Sequence, residues 1–306
     1  MPDTPLPLDV ESSGPFAGIA TLTLAQPGRP VVVLDHDLIR ALEATLNAVP
    51  SSTIGLVLAS ASERAFVAGA DLKAISELDD DALHRYLEYG SRVFAMLSLA
   101  PYWTVAAING AALGGGLELA MHCDALVASP PAAREGQPGK PYQVGLPEAG
   151  LGLCPGWGGT NLLPSLMDPA DAIRRTATGQ TLSSDEAFTT MLFAKIAPDA
   201  GSLTRTAKEW ILGKISTGSG KSVAGATTAD PWLRRPASKA TTLLALGRER
   251  TTLETTDQGR AVMEAVEVGL ARGYSAALEV ERRQLVRLRH TPRAKEALAA
   301  FFAKKK

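Results

Sequence analysis

Cysteine is scarce in this sequence. Cys123 and Cys154 are the only two in 306 residues, too few for a disulfide framework and not in the close pairs that a zinc or redox site needs, so a reducing compartment is expected. A dominant charge is also missing: 31 basic residues face 32 acidic ones, and no global field favours nucleic acid or an anionic membrane as partner. Nor is there an apolar run of about 18 residues to cross a bilayer. The opening segment MPDTPLPLDVESSG carries acids and prolines where a secretory signal has a basic start and an apolar core. These absences lead to the expectation of a cytoplasmic chain with no membrane or nucleic-acid partner. What is present is apolar content, 45% of residues, ample for the core of one large domain or two small ones.

Residues 1–13 read as a loose N-terminal arm. The segment GIATLTLAQPG then places Ile19, Leu22 and Leu24 in a strand-like run closed by Pro-Gly, and Leu38, Ile39, Leu42 and Leu46 recur at helical spacing behind a cap at Asp35 or Asp37. IGLVL from Ile54 and TVAAI from Thr104 are short, apolar and β-branched, as strands covered on both faces are. Residues 79–99 read as an amphipathic helix. The alternation predicts an α/β core over 14–200. Residues 129–148 are dense in Pro, Gly and charge and read as a long connection. The remainder, 201–306, is read as helical, broken near 213–231 by a stretch with the composition of a flexible linker.

Two glycine-bearing turns sit where a strand hands over to a helix, AFVAGADLKAI from Ala65 and INGAALGGGLELA from Ile108. Such turns expose backbone N–H groups, and two converging on one point would stabilise an oxyanion; the same glycines also serve close backbone packing. Glu118, flanked by Leu117 and Leu119, is a carboxylate in apolar sequence, suited to acid/base work through a raised pKa, or simply an acid near a helix N-terminus. Glu148 lies between Pro147 and Ala149 in VGLPEAGLGLCPGWGGT and by itself is equally compatible with a solvated loop.

Taken together and in order, these segments resemble the enoyl-CoA hydratase/isomerase (crotonase) family from about Gly18 to Pro198. The resemblance implies a ββα spiral core with a C-terminal helical region. It places the oxyanion-hole amides on Ala70 and Gly115, the two catalytic glutamates on Glu118 and Glu148, the water-orienting amide on Gly156, and the coenzyme A contact on Ala68. Lys73 lies beside the implied coenzyme A channel, as a phosphate contact or a plain surface lysine. The implied activity is addition of water to a 2-enoyl-CoA, with double-bond isomerisation or ligand binding without turnover as alternatives. No cofactor is implied, because coenzyme A is part of the substrate. The tail VERRQLVRLRHTPRAKEALAAFFAKKK is similar to the stretch that follows the hydratase portion of multifunctional fatty-acid oxidation enzymes, which implies a separate dehydrogenase partner and leaves monomer, trimer and hexamer open. No strand followed by GxGxxG occurs, so no dehydrogenase activity is expected.

Two departures stand out. The interval from Glu118 to Glu148 is 30 residues, longer than the resemblance leads one to expect, and Trp157 stands where a small residue is usual; its ring either narrows the acyl tunnel or fills a gap. TGSGKS is not a phosphate-binding loop, since Ile215 stands where GxxxxGK[ST] needs glycine. His36, His84, His122 and His290 are scattered, none at metal-ligand spacing, and Cys123 reads as a buried, inert thiol.

Overall fold

The computed structural model describes residues 5–133, 137, 139–218, 221 and 229–303. Among these residues ten strands form two sheets. The larger holds β1 (Leu8–Val10), β2 (Ile19–Leu24), β3 (Gly55–Ser60), β5 (Trp103–Ile108), β7 (Ala125–Ala128) and β10 (Lys195–Ile196) in the order β1-β2-β3-β5-β7-β10. The smaller holds β4 (Ala65–Val67), β6 (Ala111–Leu113), β8 (Gln143–Gly145) and β9 (Leu182–Ser183) in the order β4-β6-β8-β9. Pairing is parallel except at the outer pairs β1–β2 and β8–β9. The chain repeats one move: a strand of the large sheet, a short strand of the small sheet, then a helix. This ββα spiral carries α1 (His36–Asn47), α2 (Leu72–Glu77), α3 (Asp80–Leu99) and α4 (Gly115–Met121).

The large sheet is apolar on both faces because both are covered. Leu56, Leu58, Ala106, Ile108, Leu126 and Ala128 face the main core. The alternate residues Val57, Val105, Ala107, Ala125 and Val127 face Leu203, Ala207 and Ile211, spaced four apart on the helix Leu203–Ser216. At roughly 1.5–3 kcal/mol for each large side chain buried, that stripe is enough to hold the helix against the sheet. Asp35 caps α1, its carboxylate accepting from Leu38 N at 2.8 Å.

Three expectations need correction. Within the segment read as a loose arm, Leu8–Val10 instead form the edge strand β1, anchored by the buried Leu6, whose N–H donates to Thr45 Oγ1 at 2.7 Å; three apolar side chains at alternate positions, Leu6, Leu8 and Val10, outweigh the prolines, and residues 1–4 lie outside the described residues. The small sheet is absent from the sequence reading, because its strands have only two or three residues and periodicity needs more. The linker near 213–231 begins inside the helix Leu203–Ser216 and ends at Asp230, which caps the helix Pro231–Arg234; residues 219, 220 and 222–228 lie outside the described residues. Lys221 between them is buried and pairs with Asp124 at 2.8 Å. The helices Pro236–Leu253, Asp257–Arg272, Tyr274–Leu288 and Pro292–Ala303 complete the chain.

Candidate active site

The neighbouring parallel strands β4, β6 and β8 end at one edge of the small sheet, so the turns that follow them lie side by side. After β4 come Ala68, Gly69 and Ala70; after β6 come Gly114 and Gly115, opening α4; after β8 come Leu146, Pro147 and Glu148. Crevices at the carboxyl ends of parallel strands are where α/β sheets bind ligands, because helix N-termini and open loops meet there.

The first turn is fixed from the side by residues 32–34. Ala68 N–H donates to Val32 O at 2.8 Å, Leu34 N–H to Gly69 O at 2.8 Å, and Asp71 N–H to Leu34 O at 2.9 Å. Ala70 is the residue paired with Leu34 in this parallel bridge, and a paired residue of that kind turns its own N–H away from the neighbouring strand. Its N–H meets no partner among the described residues, and neither does the N–H of Gly115, the first residue of α4. Gly114 stands at φ +53°, and a Cβ there would lie 2.4 Å from Glu148 Oε1. Only glycine lets the carboxylate come so close to the second amide.

Glu118, one helical turn into α4, is 1% exposed. Its Oε1 accepts from Trp157 N and Gly159 N, each at 2.8 Å. Burial raises its pKa well above the usual carboxylate value, the charges of Glu281 and Glu148 raise it further, and the two N–H donors hold it down in part. Glu148 is half-buried on a 3-10 turn, Pro147–Leu151. Burial pushes its pKa up to about 7, against the lowering effect of its own N–H, and Glu281 adds to the rise. Its Oε2 is shielded from solvent and has no hydrogen-bond partner among the described residues. The loop reading of Glu148 is therefore excluded.

The turn 155–160 closes the site. Gly156 packs between Leu87 of α3 and Leu285, where a Cβ would meet both side chains at 3.0 Å, and its N–H has no partner among the described residues. The Trp157 ring is buried against Gly90 and Gly115, stacks edge-on to Tyr86 at 5.6 Å and tilted to Phe94 at 5.3 Å, and donates from Nε1 to Leu87 O at 3.0 Å. It fills a gap between α3 and α4. His122 Nδ1 lies 2.9 Å from Glu118 O and its Nε2 lies 3.2 Å from Tyr274 Oη. A carbonyl can only accept, so Nδ1 carries the proton and Nε2 accepts from the tyrosine. Burial drops the His122 pKa to about 4, keeping it neutral. Burial pushes the Cys123 thiol up to about 12, which leaves it inert.

Ala68 is exposed beside Val32, which lines a cavity of about 300 Å³ together with Gln26, Arg29, Ser62 and Arg64. Lys73 is exposed at the start of α2 and does not line that cavity. The residue that sequence reasoning missed is Glu281. It is fully buried on the helix Tyr274–Leu288 and accepts from Gly158 N at 2.6 Å, from Thr160 N at 3.0 Å and from the Thr160 hydroxyl. The signal was available: Glu281 occupies a position on the stripe Ala277, Leu285, Leu288 that the helical period assigns to an apolar side chain.

Residues 16–229 match the family model described as enoyl-CoA hydratase/isomerase. The chain is 33% identical over 193 residues to a short-chain-enoyl-CoA hydratase of Clostridium acetobutylicum, covering 62% of this chain and 69% of that protein. It is 33% identical over 301 residues to a fatty acid oxidation complex subunit alpha of Shewanella amazonensis, covering 94% of this chain and 40% of that longer protein. An enoyl-CoA hydratase structure from Bacillus halodurans superposes with a TM-score of 0.65 at 20% identity, covering 97% of this chain and all of that one, a likeness of fold. No helix among the described residues is long and apolar enough to cross a membrane.

Proposed function

The chain belongs to the enoyl-CoA hydratase/isomerase family, and from that premise we propose that it is a hydratase, adding water across the double bond of a 2-enoyl-CoA to give a 3-hydroxyacyl-CoA. The observation that carries this reading is the pair of shielded carboxylates, Glu118 and Glu148, both with raised pKa and with the Glu148 Oε2 left without a partner. The charge of Glu148 acts on Glu118, and two carboxylates that interact in a low-dielectric site share one proton at neutral pH, since ionising both is costly. Hydration needs that state. The ionised member takes a proton from water as the water oxygen bonds to C3, and the protonated member delivers its proton to C2. Between these events the thioester oxygen carries negative charge. The N–H groups of Ala70 and Gly115 bind that oxygen, and a single donor of this kind is typically worth about 10²- to 10³-fold in rate. Gly156 N–H orients the attacking water. Ala68 meets the coenzyme A portion, and Arg64 at the adjacent cavity suits its phosphates. The likeness to a fatty acid oxidation complex subunit supports a place in acyl-CoA degradation, with a dehydrogenase consuming the hydroxyl product.

Replacing each glutamate in turn by glutamine tests the reading. Glu118→Gln and Glu148→Gln should each slow hydration of a short enoyl-CoA by about 10²-fold or more, with coenzyme A ester affinity retained. The double variant should be little worse than either single one, because the two act as a unit. An isomerase working with one base would lose turnover in only one of the two variants. Hydration at near wild-type rates in both would remove the carboxylate pair from the mechanism.

A further inference from the structure

The turn that holds Glu118 is held from its other side as well. Along Trp157, Gly158, Gly159 and Thr160 the N–H groups alternate: the first and third donate to Glu118, the second and fourth to Glu281. Gly158 stands in the left-handed region at φ +102° and Gly159 opens a short helix, so the N–H groups of this turn point two ways and it grips two buried carboxylates at once. Glu281 lies beyond residues 16–229 that match the family model, on a C-terminal helix that packs over the site. At this position a glutamine would accept from the same donors with no charge to bury. A second buried acid beside Glu118 is instead expensive, since each desolvated charge costs several kcal/mol before compensation, and the one hydroxyl and two amides facing it compensate only in part.

Resting on the hydratase reading above, we propose that Glu281 is a positioning residue for the reaction: through the 157–160 turn it fixes where Glu118 sits, and through its charge it keeps the catalytic pair in the singly protonated state. The charge acts on both members of the pair, because Glu281 raises the pKa of Glu118 and of Glu148. The other groups around it do not substitute. From its own helix come Tyr274, whose phenol burial holds protonated, and Arg282, which favours the ionised Glu281. The turn contributes Cys154, a thiol likewise held protonated by burial, and α4 contributes the neutral His122. Burial raises the pKa of Glu281 itself, while its bonds from Thr160 and Gly158 and the charge of Arg282 act the other way; it is the acid outside the pair whose charge acts on both members. No group of three His, Cys, Asp or Glu side chains among the described residues is placed to hold a metal ion, so the three acids do not form a metal cage.

The sign of the effect follows. Activity requires one proton on the pair and is lost at alkaline pH when that proton leaves; a third negative charge delays the loss. In Glu281→Gln, which keeps the size and an acceptor oxygen, the alkaline limb of kcat/KM for a short enoyl-CoA should move to lower pH. The ratio of rates at pH 9 and pH 7 should fall by at least about threefold relative to wild type, as the removal of a neighbouring like charge predicts, while KM for the ester stays unchanged. Thr160→Val removes one donor to the ionised Glu281, lets Glu281 compete for the proton, and should move the limb the same way by less. It leaves the packing nearly intact, so it decides the matter even if the Gln variant does not fold. A purely structural Glu281 would lower the rate equally at all pH values, and a limb unmoved in the variants that fold overturns the inference while leaving the hydratase reading in place. A wild-type protein that hydrates no enoyl-CoA would overturn both.

Discussion

Glu148→Gln should make the protein less active and, above neutral pH, more stable, and the size of the second effect can be worked from the site. Glu148 has an ordinary carboxylate value of 4.5 when the chain is unfolded and about 7 in the folded site. Below pH 4.5 it is protonated in both states and costs nothing. Between 4.5 and 7 the unfolded chain ionises it while the folded chain keeps the proton, so stability falls as pH rises, and above 7 the penalty is constant. The interval corresponds to roughly 3 kcal/mol at 1.36 kcal/mol per unit, and since the residue is only half-buried, solvent screening brings it to about 1–3 kcal/mol. Glutamine carries no such penalty. Urea unfolding of wild type and variant at a series of pH values from 4.5 to 8 reads the difference directly: the two stabilities should diverge by that amount as pH rises, with the variant gaining. Comparing the slopes also cancels any pH-independent cost of placing an amide beside Gly114. Parallel curves across that window would show that the folded pKa of Glu148 is not raised, and the acid/base argument would lose its electrostatic basis.

Trp157→Ala removes a ring packed against α3 and α4 along with its hydrogen bond to Leu87 O, and should cost about 3–5 kcal/mol in urea unfolding, the usual range for emptying a buried aromatic site; a loss under 1 kcal/mol would mean the ring is not a packing element. Gly158 stands at φ +102°, where a Cβ would lie 1.7 Å from Tyr274 Oη. Gly158→Ala should shift the turn off Glu118 and Glu281 and lower hydration at least about tenfold, the scale on which catalytic misplacement acts. Gly247→Ala, on an exposed helix face with nothing within 4 Å, serves as its control and should instead stabilise the protein by about 0.5–1 kcal/mol, measured in the same urea series.

The sequence by itself determined the longer strands of the large sheet and the helical tail, because those elements are long enough for a period to register: Leu38, Ile39, Leu42 and Leu46 mark a helix face, and IGLVL and TVAAI mark strands covered on both sides. It also located Glu118, through a carboxylate set between leucines behind three glycines. Residues 5–13 went the other way: prolines and acids suggested a loose arm, and Leu8–Val10 made an edge strand on the sheet, with Leu6 buried beside it. Glu148 carried no local sign of burial, since Gly114, which lies against its carboxylate, and Glu281, whose charge raises its pKa, are both distant in sequence. Only the tertiary structure decided that Glu118, Glu148 and Glu281 share one site. Glu281 is 163 positions from Glu118 along the chain, and the link between them is a four-residue turn whose alternating N–H groups point two ways. Local pattern records what a residue's neighbours in sequence require of it; desolvation and charge are set by neighbours in space.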